Sequence, residues 1–130
     1  METTPFPFLE VSHPMITAYV VVTLITVAIN AFDAIASFAG AGFVQANSAE
    51  VGVPSSTIVP LGVLKAAGAV GLLVGLAGID AVGVAAAVGL VAFFVCAVVL
   101  HMRRKVLHNI AFPATYLAFA VATLVLMLAT

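Results

Sequence analysis

Four stretches of this chain are almost free of charge: about Pro14–Phe38, Pro60–Ile79, Ala81–Leu100 and Asn109–Ala129. A transmembrane helix needs about 20 mainly apolar residues, so each stretch is long enough to cross a bilayer. The runs are continuous rather than alternating, which excludes barrel strands. In lipid, the backbone of such a run satisfies its own hydrogen bonds only as a helix. Composition closes off the soluble alternative, since 65% of the residues are hydrophobic and 7% are charged, against about 25% charged in soluble domains. The expected fold is all-α: an up-down, integral membrane four-helix bundle, with residues 1–130 forming one membrane domain.

The connections refine this picture. "AGID" between the second and third spans is short enough to force an antiparallel hairpin, and "HMRRKVLHN" is nearly as tight. Only the segment from about 40 to 59 is long. It is expected to lie at the membrane interface as a short helix followed by a turn, with Pro54, Ser55, Ser56 and Thr57 supplying turn and N-cap chemistry for the second span. The N-terminal residues "METTPFPFLE" carry two acids and no Lys or Arg. That is unlike a secretory signal, so the first span is expected to be retained. Arg103, Arg104 and Lys105 cluster in the third connection. The positive-inside rule puts that connection in the cytoplasm and both termini outside, in a bacterial inner membrane. A net charge of −1 speaks against a nucleic-acid partner.

Polar residues of separate spans converge at one depth. Asn30 and Asp33 lie in the last third of the first span, Lys65 near the start of the second, and His101 at the end of the third. In an up-down bundle these positions share the cytoplasmic leaflet, while the opposite leaflet reads as almost purely apolar. Asn30, Asp33 and Ser37 fall on one helical face. Lipid charges roughly 2.5–3.5 kcal/mol for Asp or Lys at a helix centre, which favours pairing Asp33 with Lys65. Two readings stand beside each other: an ion pair that only holds helices together, and one that touches a ligand. Snorkelling of Lys65 to the headgroups is a further alternative.

Other features carry less. Gly68, Gly71, Gly75 and Gly78 recur on one face, as expected of close helix packing against Gly83, Ala86, Ala87 and Gly89 in the hairpin partner. Phe93, Phe94, Phe112 and Phe119 are expected to fill the bundle and its lipid face. Cys96 reads as a buried, inert thiol, and a lone cysteine allows no internal disulfide or redox pair. His101 and His108 flank a loop without a third ligand, and His13 lies far from both, so no metal site is expected.

The stretches "VGVPSSTIVPLGVLKAAGAVGLLVGL", "GVAAAVGLVAFFVCAVVLHMRRK" and "IAFPATYLAFAVATLVL" resemble the DoxX-like family of small bacterial four-helix membrane proteins. The resemblance runs from about Ala31 to the end. It rests on the turn Gly52-Val53-Pro54, on Lys65, Gly71 and Gly75, and on His101. It implies association with membrane redox systems, since the family is named from a subunit of a thiosulfate:quinone oxidoreductase. It also places Lys65 and His101 at the family's polar positions.

The expected function is an accessory or ligand-binding component of such a system. Asn30, Asp33, Lys65 and His101 would line the site, and a quinone- or lipid-like molecule would occupy it. In that reading Lys65 and His101 donate to ligand carbonyls. The partners would be the bilayer and a membrane redox enzyme, or further copies of the chain. The alternatives are a ligand-free structural subunit docking through the glycine face and, more weakly, an oligomeric small-solute transporter. No nucleophile–base pair points to catalysis by this chain alone.

Overall fold

The computed structural model describes residues 7–130, with side chains from residue 14 onward. Glu2 and the side chains of Glu10 and His13 lie outside that description. Five α-helices follow in order: α1 (Pro7–Phe38), α2 (Gly42–Glu50), α3 (Ile58–Leu76), α4 (Asp80–Arg103) and α5 (Ala111–Ala129). A 3-10 turn, Ser55–Thr57, leads into α3. Within the described residues four segments are long and apolar enough to cross a membrane: Pro14–Phe38, Ser55–Leu76, Asp80–Arg103 and Ala111–Ala129. Nineteen residues in α3 and in α5, at 1.5 Å rise, reach about 28 Å, close to the thickness of a hydrocarbon core.

The four long helices close into a ring in which α1 packs on α3 and α5, and α4 packs on the same two. At the centre are Leu72, Ala87, Leu90, Phe94 and Ala120. Small residues control how closely the helices approach. A Cβ added to Gly75 would stand 2.6 Å from the Gly83 Cα, one added to Gly71 2.6 Å from the Ala86 Cβ, and one added to Gly68 2.6 Å from the Leu90 side chain. Gly62 does the same between α3 and α1, meeting the Ser37 Cβ at 3.0 Å.

Several boundaries differ from expectation, each for a local reason. The helical backbone of α1 starts at Pro7, with Pro14 inside it. The second span ends at Leu76 rather than Ile79, because Gly78 turns into the left-handed region at φ 111°. Its N–H donates to the Gly75 carbonyl and that of Ile79 to the Val74 carbonyl, the paired bonds of a Schellman helix end. Gly78 therefore ends the helix, and nothing lies within 4 Å of where its Cβ would be. It is no part of the packing face. Asp80 then opens α4, where its carboxylate complements the helix dipole.

α4 runs on to Arg103, so His101 belongs to its last turn, and Lys105 closes the helix at φ 56° with the same bond pattern. α5 begins at Ala111, which leaves Asn109 outside it. The side chains of the Pro54–Thr57 turn make no N-cap bond to α3. Thr57 instead donates its hydroxyl back to the Pro54 carbonyl at 2.7 Å.

The half of the bundle expected to be apolar holds a buried hydroxyl layer. Thr23, Thr26 and Thr123 are each fully buried. The Thr26 and Thr123 hydroxyls lie 2.9 Å apart and tie α1 to α5. Thr26 also reaches the Val22 carbonyl at 2.8 Å, the back-bond that lets a threonine live in an apolar helix.

Candidate functional site

At the end of the bundle where α1 finishes and α3 begins, the close packing opens. Lys65 lies about 10 Å along α3 by helical rise, two turns in from the helix start at Ile58. Its Nζ donates to the Asp33 Oδ2 at 2.9 Å. The two side chains are only 11% and 21% exposed, so Lys65 does not snorkel out of the bundle. The ammonium also stands 5.6 Å from the centre of the Phe93 ring, within the range of a cation–π contact.

The pair forms part of the wall of a cavity of about 560 Å³. Such a volume is typical of a small-molecule site. Its walls come from all five helices and are mainly apolar, with Phe32, Phe43, Phe93, Phe94, Phe112 and Tyr116 supplying aromatic surface. The Phe32 and Phe43 rings are stacked with centroids 6.1 Å apart, joining α1 to α2. Phe94 meets Phe93 edge-on at 4.9 Å and Tyr116 at 5.1 Å. Phe119 is not among the lining residues.

His101 also lines this cavity, and its Nδ1 lies 2.8 Å from the Ala97 carbonyl one turn back. A carbonyl oxygen only accepts, so Nδ1 carries the proton. That leaves Nε2 as the ring nitrogen that can meet a ligand. Tyr116 is similarly committed, since its hydroxyl donates to the Ile29 carbonyl at 3.2 Å.

Asn30 does not join the group. It is fully buried in the core, where Nδ2 donates to the Thr26 carbonyl at 2.9 Å. Its Oδ1 is buried with no partner among the described residues. Ser37, on the same stripe, donates to the Asp33 backbone carbonyl at 2.8 Å and not to the carboxylate. Cys96 is not buried as expected: it is a free, exposed thiol that lines the cavity. One face of α4 carries it and, farther along, Ala97 and His101 toward the opening.

A polar strap across this end was not visible in the sequence. Asn109 donates to the Asn47 Oδ1 and to the Glu50 Oε1, both at 2.8 Å, and the His108 Nε2 lies 2.9 Å from the Glu50 Oε2. The strap holds α2 against the α4–α5 connection, and Asn47 and Asn109 both line the cavity. The available signal was the spacing of Asn47 and Glu50, three apart and so on one face of any helix there. Gly52 completes the join. It ends α2 at φ 76°, and the Arg104 guanidinium occupies the space a side chain would need, its Nη2 2.7 Å from the Cβ position. The turn that carries the family resemblance is thus where the Arg104 side chain, just past the end of α4, meets the chain leaving α2.

Comparison with known proteins agrees with this architecture. No curated protein and no solved structure matches the chain. The model of the DoxX-like family matches residues 21–123, which takes in most of α1, all of α2, α3 and α4, and α5 as far as Thr123. Four helices able to span a bilayer, arranged as a ring with a glycine-packed seam between α3 and α4, make this a small multi-pass membrane protein, and with that match the chain belongs to the DoxX-like family.

Proposed function

We propose that the chain binds the polar, ring-shaped head of a membrane amphiphile in the cavity between α1, α2, α3, α4 and α5, as the ligand-holding accessory component of a membrane redox system. The observation that carries this is the placement of the Asp33–Lys65 pair in the wall of a mainly apolar, aromatic-rich cavity of about 560 Å³. A pair serving only to join two helices needs no space beside it. Lys65 has two further N–H groups beyond the one given to Asp33. His101 offers its Nε2. A ligand with both an oxygen acceptor and a hydroxyl donor, as in a quinone/quinol couple, suits that pair of groups. Redox association rests on family membership, and Arg103, Arg104 and Lys105 favour the cytoplasmic leaflet of the inner membrane for this end.

The structural-subunit alternative has less support. Its docking surface was the glycine face of α3, and Gly68, Gly71 and Gly75 are already spent on Leu90, Ala86 and Gly83.

Native mass spectrometry with a decyl-substituted benzoquinone tests the proposal. The wild-type chain is expected to retain the quinone mass, and Lys65→Met to weaken retention by about tenfold or more, equivalent to 1.4 kcal/mol. Equal retention by both chains, or none by the wild type, sinks it.

A further inference from the structure

A second cavity, about 380 Å³, runs along the cleft between α3 and α4. Its walls are Ala67, Gly68 and Gly71 on one side and Val82, Ala85 and Ala86 on the other. Three residues, Leu64, Gly89 and Phe93, line both this groove and the larger cavity. The two spaces therefore adjoin, and the ring that faces the Lys65 ammonium stands at their border.

Gly89 is the residue that packing does not explain. Gly68, Gly71, Gly75 and Gly83 each have a neighbour that a Cβ would strike, whereas nothing lies within 4 Å of the Cβ position of Gly89. A glycine inside a helix costs about 1 kcal/mol relative to alanine. With no helix pressed against it, the missing side chain serves the open space at the junction.

We propose that this groove holds the hydrocarbon tail of the same ligand. The inference rests on the head-binding reading above and adds a ligand class to it: an amphiphile with a long, slender tail, held along its length. From Phe93 to Val82 the groove follows α4 for about 16 Å at 1.5 Å per residue. It leads away from the polar end, toward the α3–α4 turn. Glycine and alanine make up much of its wall, with Leu64, Leu90 and Phe93 at the end nearer the cavity, a lining suited to a slender chain. A tail leaving the cavity at Gly89 thus stays against protein through the middle of the bundle. Lipid tails are as apolar as the groove, so the gain is one of fit and direction and not of hydrophobic burial.

The test is photolabelling of the full chain in phosphatidylcholine nanodiscs. The probe is a benzoquinone whose decyl tail ends in a diazirine, and the bound quinone is read in parallel by native mass spectrometry. Label is expected in Ala67–Gly71 and Val82–Ala86. Ala85→Leu and Ala67→Leu, which block the groove from opposite walls at exposed positions, are expected to move the label out while the quinone mass stays bound. Two variants guard against one failing to fold. Quinone retained with label spread over the outer faces of α1 and α5 overturns the groove and leaves the head site standing. Absence of quinone from the wild-type chain overturns both.

Discussion

α3 and α4 are one hairpin that behaves in two ways along its length. Near the turn, Gly75 and Gly83 bring the backbones together until a single Cβ would not fit. At the other end the same helices part around Lys65, Phe93 and Phe94 and leave the cavity between them. Both ends are apolar by composition, and both lie within segments that read alike in the sequence. The difference is side-chain volume. Gly and Ala let lipid-embedded helices approach closely and gain dispersion contact where they touch. A lysine stem and two aromatic rings hold them apart, and the space that results is kept by α2 and its polar strap. A membrane bundle with no hydrophobic drive between its helices can therefore be tight and open at once.

The contrast can be broken from either end. The largest effect is expected at the open end, where Asp33→Ala leaves the Lys65 charge unpaired and costs about 3 kcal/mol in detergent-micelle unfolding. Adding Lys65→Met to that variant removes the stranded charge and should restore stability to within about 1 kcal/mol of wild type, while quinone retention stays lost. Failure of the second change to rescue would mean the two groups do not act as a pair.

At the closed end, Gly75→Ala forces a methyl against the Gly83 backbone, which cannot yield as a side chain would, and should cost about 2 kcal/mol. Gly68→Ala, which meets only the movable Leu90 side chain, should cost less in the same measurement. Equal losses at both positions would mean that the seam is looser than its geometry. The smallest effect belongs to the transition between the two halves. Gly89→Ala meets nothing and improves helix propensity, so it should raise stability by up to about 1 kcal/mol. A loss there would show that a neighbour packs on Gly89 after all.

Much of the fold could be read from the chain because lipid imposes few rules and applies them everywhere. A long uncharged run has to be a helix, and a four-residue link has to be a hairpin. The convergence of Asp33, Lys65 and His101 on one depth followed from the same counting, since helical rise converts position into height. Rotation about each helix axis is what counting left out. Asn30 stands one turn from Asp33 on the same stripe, yet it is fully buried and bonds to the Thr26 carbonyl instead of joining Lys65. Cys96, read as buried from its apolar neighbours, faces the cavity because α4 diverges there.

The sequence by itself determined the number of spans, their antiparallel order and the height of the charged groups, because each depends only on local composition and distance along a helix. Tertiary structure alone decided which helices became neighbours and where the seam opened. It also turned the His101 Nδ1 onto the Ala97 carbonyl, and it bound α2 to the far connection through Asn47, Glu50 and Asn109. Those outcomes depend on how side chains from distant parts of the chain fit together, and no single stretch of residues contains that information.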